Sequence, residues 1–154
     1  MKKVILLFVF IASMVEATMA QQNDQAIGVR LGWGAELSYQ HPLKSKTRLE
    51  VDLGLGGWDH GGFLLTGVHQ WIGNIDGGLD WYAGLGPQLG SVWYKTDNLW
   101  YQDFGLGIAG QVGLQYNFPI PLQISLDYRP SWFIIPSERG FGYGDLALGL
   151  RYRF

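Results

Sequence analysis

Cysteine is absent from all 154 residues, so neither a disulfide framework nor a thiolate-bound metal holds this chain together. Histidine occurs three times, at His41, His60 and His69; the three are scattered with no carboxylate cluster, and no metal site is expected. Charge is sparse. Asp, Glu, Lys and Arg make up 16% of the chain with a formal net charge of −2, which leaves no basic footprint for nucleic acid. No apolar run reaches the roughly 20 residues of a membrane-crossing helix. The runs "GLGPQLG" and "GFGYG" contain Gly-x-Gly, but neither leads from a strand into a helix, so they are not phosphate cradles and no cofactor is expected.

Two residue classes are abundant instead. Glycine contributes 23 residues with no collagen-like period, and there are 7 Trp, 8 Tyr and 8 Phe. The first twenty residues stand apart. Lys2 and Lys3 precede an apolar core from Val4 to Ala12, and small residues follow. This is the pattern of a cleaved export signal, with cleavage expected after Ala20 or, second, after Ala17. The lack of a nearby Cys argues against a lipid anchor. The expected organisation is a signal peptide over 1–20 and one domain over 21–154.

From residue 26 onward the dominant period is two, the period of a strand. In "FGLGIAGQVGLQYNF" Phe104, Leu106, Ile108, Val112, Leu114 and Tyr116 share one face and Gly105, Gly107, Ala109, Gln111, Gly113 and Gln115 the other. The last segment sets Leu146, Leu148, Leu150, Tyr152 and Phe154 against Asp145, Ala147, Gly149, Arg151 and Arg153. Turn signals at 41–46, 59–62, 73–78, 94–103, 118–121 and 135–143 leave seven strand-like segments. A hairpin turning near Gly32 to Gly34 splits the long first segment and makes eight, the even number that a single-chain membrane barrel favours.

Period two fits a soluble barrel and a membrane barrel alike. Three features select the membrane. The polar face is built largely of Gly, Ala, Ser and Gln, which would weaken a solvent-facing strand but makes room in a narrow lumen. Strand charges keep to the non-lipid phase, where they avoid about 2–4 kcal/mol for a Lys or Arg facing the bilayer midplane. Aromatic rings gather at both strand ends, with Tyr39, Trp71, Trp81, Tyr116, Phe118, Tyr152 and Phe154 by the short turns. Trp58, Trp93, Tyr94, Trp100, Tyr101, Trp132 and Phe133 lie by the other loops, as interfacial belts require. The fold class is therefore all-β: a single antiparallel up-and-down transmembrane barrel of eight strands.

The runs "GLDWYAGLGPQLG" (78–90), "GLQYNFPIPLQISLDYRPSW" (113–132) and "LALGLRYRF" resemble the small outer-membrane β-barrel proteins common in Bacteroidota, similar in build to OmpX and the OmpA membrane domain. The resemblance implies an outer-membrane location but no particular activity. Its partners would be outer-membrane lipids and, during biogenesis, the barrel assembly machinery, with Leu150, Tyr152 and Phe154 resembling the assembly signal of a last strand. No surface ligand is named by the sequence.

Eleven charges form the expected lumen set: Arg30, Arg48, Arg129, Arg151 and Arg153 with Glu36, Glu50, Asp52, Asp80, Asp127 and Asp145. They should pair, because an unpaired buried charge is costly; Arg151 and Arg153 are expected to reach carboxylates such as Glu36 and Asp127. The expected role is structural or interactive. Two alternatives remain: a lipid-modifying enzyme, with Asp59 and His60 near Ser91, Ser131, Ser137 or Asp145, and a narrow pore through the charged lumen.

Overall fold

The computed structural model describes residues 25–57, 62–135 and 140–154. The expected leader, Trp58, Asp59, His60 and Ser137 lie outside these residues, as do the side chains of Trp93 and Tyr94. Eight strands are present: β1 (Ala26–Leu31), β2 (Gly34–Lys44), β3 (Thr47–Gly57), β4 (Phe63–Asp76), β5 (Leu79–Thr96), β6 (Leu99–Asn117), β7 (Leu122–Ile135) and β8 (Phe141–Arg153). Each pairs antiparallel with its sequence neighbours, and β1 pairs with β8 from Ala26↔Arg153 to Leu31↔Leu148, closing the barrel. Closure leaves no free sheet edge along the paired lengths.

Alternation decides which way each side chain points. In β7, Gln123, Ser125, Asp127, Arg129 and Phe133 are buried inside, while Ile124, Leu126, Tyr128, Trp132 and Ile134 face out. The same rule places Phe133 in the lumen, not in the aromatic belt expected for it. In β4 it directs Thr66, Val68 and Gln70 inward and turns His69 outward, where its ring meets Trp71 edge-on at 4.9 Å. The outward set is apolar around the barrel and includes Leu37, Leu53, Leu65, Leu85, Ile108, Leu126 and Leu148.

One rim, called proximal here, carries Gln25, Phe154 and the turns at Ser45–Lys46, Gly77–Gly78 and Phe118–Pro121. The first two turns are shorter than the sequence signals, because β2 continues to Lys44 and β4 to Asp76. Pro42 is accommodated where the β2–β3 register shifts, between Pro42 and Lys44, a place that tolerates a missing N–H.

At the distal rim the first hairpin turns at Gly32–Trp33, as its glycines foretell. The expected loop over 94–103 is instead continuous ladder, from Leu79↔Tyr116 to Thr96↔Leu99, closed by Asp97 and Asn98 at φ 52° and 65°. Positive φ at both central residues suits a two-residue hairpin turn, and Asp and Asn tolerate it. Leu99 to Phe104 are exposed on both faces. With neither face buried no alternation was selected, so the run resembled a loop.

Neighbouring backbones approach closely where glycine permits: a Cβ on Gly86 would run into the Gly67 carbonyl oxygen. Gly86→Val should therefore lower unfolding stability by about 1–3 kcal/mol, measured by urea titration of the folded barrel. An unchanged midpoint would show that the strands can separate at no cost.

Candidate functional site: the charged interior

All eight strands send a polar side chain into one connected interior. Glu50 of β3 lies at its middle, fully buried. Its Oε1 accepts from Arg129 Nη2 at 3.2 Å and Gln111 Nε2 at 2.9 Å. Its Oε2 accepts from Arg151 Nη2 at 3.2 Å and Gln40 Nε2 at 2.5 Å. Two guanidinium groups and two amides thus saturate one carboxylate, the condition under which a buried charge is tolerable.

Arg30, also fully buried, organises the distal half. Its Nε and Nη2 both reach Asp127 Oδ1, at 2.9 and 2.7 Å. Its Nη1 bonds Asp145 Oδ2 at 2.8 Å and Glu36 Oε2 at 3.1 Å. Arg129 joins the two halves, donating to Glu36 at 2.9 Å and to Glu50, and pairing with Asp52. Arg151 spans from Ser38 Oγ at 2.9 Å to Ser125 Oγ at 2.7 Å.

The proximal half is held by amides and a ring. Arg48 donates to Gln70, which donates to Gln111 at 2.7 Å, and the Arg48 guanidinium lies 5.0 Å from the centre of the Tyr82 ring. Tyr82 donates its hydroxyl to Asp127 at 3.0 Å. The chain of contacts therefore closes on itself, through Arg30, Asp127, Tyr82, Arg48, Gln70, Gln111, Glu50, Arg129 and Glu36.

The structure brings Arg30, Glu36, Glu50, Asp52, Asp127, Arg129 and Arg151 into ion pairs. Arg48 is buried in the same interior but pairs with an amide and a ring, not with a carboxylate. Arg151 meets Glu50 instead of Glu36 or Asp127. Arg153 sits at the proximal rim, donating to the carbonyls of Phe118 at 2.8 Å and Ile120 at 3.4 Å. As the last residue of β8, it reaches the adjoining turn rather than the lumen carboxylates. Asp80 likewise lies near that rim, taking Asn74 at 2.8 Å and Asn117 at 2.7 Å. Leu150 and Tyr152 face outward, and Phe154 stacks on Tyr152 at 6.4 Å.

Sequence reasoning missed Gln40, Gln70 and Tyr82 as interior members. Parity was the available signal. Gln70 and Tyr82 each precede or follow a belt tryptophan, Trp71 and Trp81, and so occupy the opposite phase.

Chemically, this interior holds charge in fixed pairs. Among the described residues no cluster of three His, Asp or Glu is placed to hold a metal. Asp145, one of the rim groups considered for catalysis, is engaged by Arg30 and by the Trp33 backbone N–H at 2.9 Å.

No family model matches the sequence, and a search of curated proteins finds no match. Solved structures do match in fold. The N-terminal β-barrel domain of Pseudomonas aeruginosa OprF aligns with TM-score 0.66 at 13% identity, over 86% of this chain and 96% of that one. Neisserial surface protein A aligns with TM-score 0.59 at 14% identity, over 86% and 94%. Ail, the attachment invasion locus protein of Yersinia pestis, aligns with TM-score 0.56 at 18% identity, over 86% and 97%. The chain shares with them the eight-stranded closed antiparallel barrel.

Glu50→Ala should cost about 3–5 kcal/mol, since it strips a buried partner from both Arg129 and Arg151. Asp76→Ala, at an exposed strand end, should stay within about 0.5 kcal/mol. Equal losses in urea unfolding would show that the interior pairs contribute nothing specific.

Proposed function

We propose that this protein is an integral outer-membrane barrel with a plugged lumen, serving the cell envelope in a structural or interaction role. One observation carries the reading: charged residues point inward into pairs while the outward wall is apolar. A soluble barrel would reverse that arrangement, because water, not hydrocarbon, would meet the outer wall. The fold shared with outer-membrane proteins supports the location, and segments 78–90, 113–132 and 146–154 carry the likeness to Bacteroidota barrels. Trp71, Trp81, Tyr116 and Tyr152 near the proximal rim, and Phe63, Trp132 and Phe141 near the distal one, are outward rings placed for two interfaces.

On this reading the proximal rim faces the periplasm. The partners are outer-membrane lipids and, during assembly, the machinery that recognises Leu150, Tyr152 and Phe154. The β5–β6 ribbon stands above the belt and offers Leu99, Trp100, Tyr101 and Phe104 as exposed surface. No catalytic role is assigned. The pairs of Arg129 with Glu50 and Asp52 join β7 to β3 across the lumen, and the Arg151–Glu50 pair joins β8 to β3, which favours a plug over a pore.

Two measurements test the reading. Leu126→Arg, on the outward wall, should destabilise the barrel in lipid vesicles by about 2–4 kcal/mol; tolerance of that arginine would place the wall in water. Purified folded protein should give no conductance steps in planar bilayers, and regular steps would replace the plug with a pore.

A further inference from the structure

The wall is uneven in a way that matters if it crosses a bilayer. β1 is six residues long, whereas a tilted membrane strand needs about 9–11. Its lower end is level with the belt, since Ile27 pairs with both Tyr39 and Tyr152. Its upper end falls short. The chain turns at Gly32–Trp33, so Trp33 stands six residues from Ile27. On β6, Ile108 stands eight residues from Tyr116, and Leu106 and Phe104 continue the outward apolar row beyond it.

The same notch appears along β8. Residues Phe141 to Ala147 include partners of β7, but the β1–β8 ladder begins only at Leu148. Interior side chains substitute for the missing strand: Asp145 accepts the Trp33 N–H, and Arg30 Nη2 lies 3.4 Å from the Asp145 carbonyl oxygen. Glu36 and Asp145 lie on the lumen side of the wall below the turn, both held by Arg30, and Trp33 itself is 74% exposed.

We propose that the polar headgroups of the outer leaflet fill this notch, so that the bilayer is locally thinned against β1 and β2, with Trp33 at the displaced interface. The inference rests on the membrane reading above. Acyl chains offer no hydrogen bonds to strand backbone. A hydrophobic wall that is too short is met by thinning the bilayer, and tryptophan prefers the headgroup level.

The cysteine-free chain allows a clean test. Single cysteines replacing Trp33, Ile108, Leu126 and Asn98 are spin-labelled in the otherwise unchanged chain, folded into phosphatidylcholine vesicles. Access to oxygen and to a water-soluble nickel chelate is then read for each. The label at 98 should be open to nickel, and those at 108 and 126 shielded from it and open to oxygen. The label at 33 should be several-fold more open to nickel than that at 108, yet less than that at 98, although it is fewer residues from its girdle. Shielding at 33 equal to that at 108 would mean that acyl chains seal the notch and would overturn the proposal. Access at 33 equal to that at 98 would place the turn clear of lipid and overturn it equally. Nickel access at 108 and 126 would instead sink the membrane reading on which it rests. Should Trp33→Cys fold poorly, Ala35→Cys, paired with Leu31 below the same turn, carries the same comparison with 108.

Discussion

The interior depends on Glu50. An ionised carboxylate with no exposure must find compensation for every lone pair it takes from water, and Glu50 finds it in Arg129, Arg151, Gln40 and Gln111. These four come from β7, β8, β2 and β6. One charge on β3 thus reaches across the lumen to β6, β7 and β8, none of which pairs with β3, as well as to its neighbour β2. Arg129 passes the constraint on to Glu36 and Asp52, and Arg30 carries it to Asp127 and Asp145. A side chain removed from such a network leaves its partners charged and buried, so the interior specifies register as well as contributing stability.

That interior explains the unusual composition. A narrow lumen that holds long arginines needs glycine, alanine and serine beside them, and the inward positions of β6, Gly105, Gly107, Ala109 and Gly113, supply that space. The outward wall then carries the apolar share of the sequence. A chain with 16% charged residues is low in charge on average, yet its charge is concentrated where it pairs.

Much of this was legible beforehand, because a two-residue period is a local property. It gave the strands and their inward charges, while the even strand number of a closed barrel placed a turn near Gly32 to Gly34. Three features were not legible, each for a physical reason. The β5–β6 ribbon buries neither face, so nothing imposed an alternation on Leu99 to Asp103. The facing of His69 could not be read from sequence, because Leu64, Leu65 and Val68 break the alternation; of these, Val68 is an apolar residue fully buried in a lumen otherwise expected to be polar. Pairing partners were the third, because Arg151 meets Glu50, 101 residues away, and such a choice depends on barrel tilt and closure rather than on neighbours in sequence. Arg153 shares the phase of Arg151, but phase sets the direction of a side chain and not its depth along the axis.

Val68 also supplies the most direct test of the central claim, which is that the apolar wall meets lipid and the charged interior does not. Methyl-labelled protein in lipid nanodiscs should show magnetisation transfer from lipid acyl chains to Leu126, Leu148 and Ile108, and none to Val68, an aliphatic side chain buried in the lumen. Transfer to Val68 with none to Leu126 and Leu148 would mean that the barrel is oriented the other way round, with water at its outer wall, and would contradict the account.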